Sequence, residues 1–192
     1  MEGSYAYLTR LNSFSVPSTS TSNKRSKKAA SSSDVWPLSE THSVTPFSLA
    51  AAGFYYQPSS EAQDNVVCFL CHKALGGWEQ GDQALSEHVA HSIKKPGQAK
   101  KACAFALLKS GGIRCRDLGL TDEKDLSKLR KETFGKKADK WWPLESKKGY
   151  PKAADMVSGG FYFSAKEAGD DKVACCWCEL ELDNWDQGDN PK

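Results

Sequence analysis

Asp64-Asn65-Val66-Val67-Cys68-Phe69-Leu70-Cys71, continued by Leu75, Trp78, Gly81 and Asp82, decides how this chain folds, because the same text returns 107 residues later. Asp171, Val173, Cys175, Cys178, Leu182, Trp185, Gly188 and Asp189 repeat it position by position. A chain of 192 residues with such a repeat reads as two small modules, each able to bury only a modest apolar core. Small modules need a staple, and the repeated text supplies one. In the first copy the Cys-x-x-Cys pair is followed after sixteen residues by His88, and fourteen more lead to Cys103. Two thiolates on a strand turn, with an imidazole and a third thiolate arriving from a following helix, can close a tetrahedron around zinc.

The expected ligands are therefore Cys68, Cys71, His88 and Cys103. His91 is an alternative to Cys103, although it lies only three residues from His88, a short spacing for two zinc histidines. Ordinary buried cysteines are a poorer reading, because the half-repeat at Cys175 and Cys178 is hard to obtain by accident. A redox pair is poorer too, since no strand-helix-strand pattern surrounds either copy. Carrying the offset onward puts the second copy's histidine at 195, past Lys192, so the second module is expected to be incomplete. Its metal ligands within the chain are then Cys175 and Cys178.

Composition narrows the class. Seven cysteines, an odd count arranged in tight pairs, suit metal better than a disulfide framework and point to an intracellular chain. The start, Met1 to Arg10, lacks the basic-then-apolar order of a secretory signal, and no apolar run approaches the eighteen or so residues of a membrane span. Net charge is +2, so no bulk attraction to nucleic acid is expected, and the basic residues sit in loops rather than along one reading helix. The charge is uneven: Glu167 to Lys192 holds eight acids against two lysines.

The chain divides into a first module over 6–108, a linker over 109–125 with Gly111-Gly112 as its loosest point, and a second module over 126–192. Arg10 and Phe14 return as Arg130 and Phe134, but Phe to Trp-Pro spans 22 positions in the first copy and 8 in the second. The fourteen extra residues belong to a Ser/Lys-rich insertion at 17–33, whose composition predicts mobility. Within it, Asn23-Lys24-Arg25-Ser26-Lys27-Lys28 reads either as a nuclear-import signal or as a solvated loop, and its serines are candidate kinase targets. Thr45-Pro46 and Gly53 bracket a short helix, Phe54–Tyr56 and Val66–Phe69 read as strands, and Leu85, His88 and Val89 share one helical face.

These residues together carry a family resemblance. Trp36-Pro37, Ala50 through Tyr56, Asp64 through Cys71, Gly77-Trp78, Gly81-Asp82, Glu87-His88 and Cys103-Ala104-Phe105 resemble a baculoviral IAP repeat, the BIR domain. Trp142-Pro143, Gly159 through Phe163, Val173 through Cys178 and Trp185 through Pro191 resemble it again. The resemblance implies an α+β fold: tandem small zinc-binding modules, each a three-stranded antiparallel sheet with short helices. The first copy departs from the pattern in its Ser-rich insertion and in a longer, lysine-bearing stretch between His88 and Cys103.

BIR domains are peptide readers, and the stretch His72 to Asp82 is similar to that of the survivin-type members, including fungal two-BIR proteins of the chromosomal passenger complex. The resemblance implies a non-enzymatic adaptor in chromosome segregation that takes a free N-terminal alanine peptide such as the phosphorylated histone H3 tail, partners with chromosomal passenger proteins, and works in the nucleus. Asp82 would meet the ligand's ammonium, Trp78 would wall the pocket for its first side chain, Leu75 would line the groove, and Lys73 with His91 would meet the phosphate. Each also has a plainer reading: Trp78 and Leu75 as core, Asp82 as a turn acid, Lys73 and His91 as surface residues. The alternative function is an apoptosis inhibitor that binds caspases or processed pro-apoptotic N-termini.

Overall fold

The computed structural model describes residues 2–15, 35–93, 99, 102–136 and 139–192. The insertion at 17–33 and Lys94, Lys95, Lys100 and Lys101 lie outside the described residues. The elements run α1 (Tyr7–Asn12), α2 (Pro46–Ala51), β1 (Phe54–Tyr56), β2 (Val66–Cys68), β3 (Ala74–Leu75), α3 (Ala84–Ser92), α4 (Ala104–Lys109), α5 (Gly112–Asp117), α6 (Glu123–Thr133), β4 (Gly135–Lys136), β5 (Asp139–Lys140), α7 (Ala153–Ser158), β6 (Phe161–Phe163), β7 (Val173–Cys175) and β8 (Glu181–Leu182).

The sequence repeat is a structural repeat. Strands β1-β2-β3 form one antiparallel sheet and β6-β7-β8 another, in the same register: Phe54 faces Cys68 as Phe161 faces Cys175, and Val66 faces Leu75 as Val173 faces Leu182. Each sheet is fed by a short helix with a strong start. Thr45 and Ser48 form a reciprocal capping box at α2, with Pro46 in the first turn where its missing N–H costs nothing. That helix ends at Gly53, φ 97°, where a Cβ would stand 3.0 Å from the Phe105 ring, so glycine serves both the left-handed turn and the close approach of α4.

The arginines singled out in the sequence do the same work in both copies. Arg10 is buried and its Nε donates to the Ala50 carbonyl at 2.9 Å; Arg130 is buried and its Nε donates to the Val157 carbonyl at 3.2 Å. Buried guanidinium groups persist only when their N–H fork is satisfied, and here the fork ties the leading helix to the helix before the sheet. Arg10 also donates to the Ser4 and Tyr5 carbonyls and lies over the Phe69 and Phe105 rings at 4.8 and 5.4 Å. Burial lowers its pKa to about 10, which leaves it charged at neutral pH. A second shared tie joins helix to sheet: the Tyr56 N–H donates to Ser13 Oγ, and the Phe163 N–H donates to Thr133 Oγ1.

The two modules are packed against each other. Tyr162, Ala174 and Cys176 of the second module lie in the first copy's core, and Ala6 lies in the second. Trp141 stacks on Tyr5 at 5.5 Å and meets Phe69 at 5.6 Å. The Tyr7 and Leu8 N–H groups donate to the Ala165 and Lys166 carbonyls across the boundary. The segment expected to be loosest is, on the contrary, one of the tightest points. Gly112 is buried at the start of α5, its N–H donates to the Cys176 carbonyl at 2.6 Å, and a Cβ there would stand 2.1 Å from the Trp177 ring. A paired glycine has two meanings, slack or close approach, and packing selects the second here.

Candidate zinc centre and the cleft beside it

Cys68 ends β2, and the chain turns at once through Phe69-Leu70-Cys71 to His72, a non-glycine residue at φ 57°. The turn is held by backbone bonds: Cys68 N–H to the Lys73 carbonyl at 2.9 Å and His72 N–H to the Cys68 carbonyl at 3.1 Å. The Leu70 and Cys71 N–H groups donate to Cys68 Sγ at 3.3 and 3.5 Å, aiming peptide dipoles at a sulfur that carries negative charge when ligating. α3 brings in His88, fully buried, and Cys103 enters just ahead of α4 with its N–H on Ser92 Oγ at 3.1 Å.

The four ligand atoms lie within 4.8 Å of one another. Cys68 Sγ is 3.8 Å from Cys103 Sγ, and Cys71 Sγ is 3.4 Å from His88 Nε2. Zn–S bonds of about 2.3 Å and a Zn–N bond of about 2.0–2.1 Å give tetrahedron edges of roughly 3.8 Å for S···S and roughly 3.6 Å for S···N. The donor set therefore fits zinc in chemistry and in size. The His88 Nδ1 is 2.7 Å from the Ala52 carbonyl; donating there, it leaves Nε2 as the metal-facing nitrogen. His91 is not part of the cluster; among the described residues the fourth donor beside Cys68, Cys71 and His88 is Cys103.

Without metal the cluster carries conflicting demands. Hydrogen bonds from Cys103 and Cys68 hold Cys71 far below the ordinary thiol range, whereas the same contacts with Cys68 and Cys71 push Cys103 well above it. Burial alone would lower the His88 pKa; hydrogen bonds to the Cys68 and Cys71 sulfurs outweigh burial and raise it to about 10. Three sulfurs and a ring nitrogen can all act as donors at once only around a cation.

The second copy reproduces the turn. Cys175 N–H donates to the Leu180 carbonyl, Glu179 N–H to the Cys175 carbonyl, and Glu179 sits at φ 58° where His72 sits in the first copy. Burial opposes ionisation of Cys175, but the Cys178 and Trp177 N–H groups overcome it and hold its pKa below the ordinary thiol range. Among the described residues, no third histidine, cysteine or acid joins Cys175 and Cys178 in a metal-sized group.

The predicted peptide-groove residues separate into two sets. Lys73 and His91 line a cleft of about 1350 Å³ that opens beside the zinc turn, and His91 also stands 3.4 Å from Glu87. Leu75, Trp78 and Asp82 are not among that cleft's walls. Leu75 is half-buried on β3, Trp78 is 8% exposed against Phe54, and Asp82 accepts the Glu79 N–H on Oδ2 at 2.8 Å. The Trp78 indole N–H is buried without a partner, as is that of Trp185, its counterpart.

Asp64 has a role the sequence reading did not assign. Its two carboxylate oxygens accept the Gly77 and Trp78 N–H groups at 2.9 and 2.8 Å, clamping the turn after β3, and Asp171 does the same for Asn184 and Trp185. Its recurrence at the head of both copies was the available signal. A side chain on Gly76 would meet this carboxylate at 3.0 Å.

Two three-stranded sheets in one register, each with a Cys-x-x-Cys turn between its second and third strands, and a Cys3His set gathered at the first, define a tandem zinc-module protein. The BIR family model, the Inhibitor of Apoptosis domain, matches residues 10–106 and 130–192, and the chain belongs to that family. It is 31% identical over 162 residues to the "Chromosomal passenger complex protein bir1" of Schizosaccharomyces pombe, covering 81% of this chain and 15% of the relative. It is 36% identical over 107 residues to Baculoviral IAP repeat-containing protein 5 of Rattus norvegicus, 54% of this chain and 70% of the relative. To Baculoviral IAP repeat-containing protein 3 of Homo sapiens it is 32% identical over 158 residues, 81% of this chain and 22% of the relative. The chain thus spans a minor part of the long relatives it matches.

Proposed function

We propose that this chain is a non-enzymatic peptide-reading adaptor of the survivin type that acts in chromosome segregation in the nucleus, with chromosomal passenger proteins as partners. Similarity to the passenger protein bir1 along both copies supports the setting. The observation that supports the ligand is that Lys73 and His91 both line the cleft beside the zinc turn, where two donors can meet a phosphate. The ligand is a peptide with a free N-terminal alanine, such as the phosphorylated histone H3 tail. Asp82, with its second carboxylate oxygen, receives the ammonium; Leu75 and Trp78 shape the first-residue pocket. Four protein ligands complete the zinc tetrahedron and leave no position for a reacting water, which suits a structural metal. The Inhibitor of Apoptosis description of the family favours one alternative, capture of caspases or processed pro-apoptotic N-termini.

Titration with an Ala-Arg-Thr peptide, phosphorylated or plain, acetylated or free, tests the reading. Phosphorylation is expected to tighten binding and acetylation to weaken it greatly, since a carboxylate loses its charged partner. Lys73→Ala and His91→Ala are expected to erase the advantage of phosphate alone. Equal curves for both peptides, with tighter binding of Ala-Val-Pro-Ile, transfer the assignment to the inhibitor reading.

A further inference from the structure

The cleft that holds Lys73 and His91 is not a feature of the first module alone. Its far wall is α6 and the start of the second module, with Lys128 and Lys131 on the helix and Phe134 and Trp142 below them. Leu126, Leu129, Arg130 and Thr133 point into the core, so Lys128 and Lys131, three apart, share the opposite, exposed face. The fold does not require lysine at either place. In the first copy the arginine and phenylalanine anchors align Arg10 with Arg130, which puts Leu8 and Leu11 where α6 has Lys128 and Lys131. The cleft also carries Glu132 and Glu145, but each has a partner of its own, Glu145 accepting the Ala153 N–H at the start of α7.

We propose that the inter-module cleft is a docking site for an acidic peptide segment, gripped by Lys73 and His91 on one wall and by Lys128 and Lys131 on the other. Charge complementarity selects the occupant: among the described residues the lining carries three lysines and two histidines against two glutamates, and both glutamates already have partners within the protein. The half-buried Leu70 in the lining, with the buried Phe134 and Trp142 behind it, suits a peptide with interspersed side chains rather than a bare ion. This site shares two residues with the proposed phosphate contact but needs no free amino terminus, so a binder can enter it as an internal segment.

The test uses the full zinc-loaded chain and an acetylated eight-residue peptide alternating glutamate and phosphoserine, against the same peptide with glutamine and serine. Fluorescence anisotropy is expected to give the acidic peptide an affinity on the order of tenfold higher or more. Lys128→Gln with Lys131→Gln should remove most of that difference while zinc content and melting temperature stay unchanged, and the Lys→Arg pair should retain it. Equal affinity for the two peptides, or an undiminished preference in the Gln pair, overturns the proposal. So does a single-stranded oligonucleotide of equal charge that binds as tightly and competes. Because both probes are acetylated, the outcome is independent of the amino-terminal reading, which the acetylation titration decides by itself.

Discussion

Cys103 and His88 carry the sharpest residue-level consequences. At neutral pH the metal-free site keeps a proton on each, because the neighbouring sulfurs raise both pKa values, His88 to about 10. Zinc takes both groups deprotonated, so its entry expels at least two protons, and apparent affinity should rise about 100-fold per pH unit through pH 7 to 8. An unfolded metal-free chain gives the same sign, since free thiols titrate near pH 8.5 or so. Calorimetry in buffers of different ionisation enthalpy counts the protons; none or one released contradicts the site. Cys68→Ala, Cys71→Ala, His88→Ala and Cys103→Ala should each unfold the first module, because structural zinc supplies roughly 10–16 kcal/mol that a small core cannot replace. His91→Ala should leave zinc content and amide dispersion intact. All four ligands were legible in the sequence because ligand chemistry restricts residue type and spacing together. The Asp64 clamp was legible only as a recurrence at the head of both copies, since the residue alone does not tell which N–H groups, 13 and 14 residues away, its carboxylate caps.

Among the elements, α5 shows where reading stops. The strands, the capped α2 and the buried face of α3 follow from alternation, capping and helical spacing, and the structure has them. Gly111-Gly112 carries no such periodic information, and its meaning depends on Trp177, 65 residues away, arriving over Gly112. Arg116 reaches over the same indole at 5.7 Å, so α5 and the second metal turn grip each other. Gly112→Ala should therefore cost about 1–3 kcal/mol, as overpacking does. Trp177→Ala in the same chain should recover most of that loss, although it removes a contact of its own. A double-mutant cycle in denaturant measures the coupling, and strict additivity would show that the contact is not made in solution.

At the scale of the whole molecule, one repeat has produced two modules with the same sheet and register. The first is closed by its Cys3His set, and the second leans on the first through Tyr162, Ala174 and Cys176. The tandem architecture was legible because 107 residues separate two copies of one text; the joint surface was not, because nothing in either copy's own pattern encodes which faces meet. The central claim is a single tetrahedral zinc held by Cys68, Cys71, His88 and Cys103. X-ray absorption at the zinc edge, with metal analysis of the 192-residue chain, tests it most directly. The expected result is one zinc per chain with three sulfur neighbours at about 2.3 Å and one nitrogen at about 2.0–2.1 Å. Two sulfurs with two nitrogens would replace Cys103 by a second histidine, and four sulfurs or a bound water oxygen would contradict the site outright.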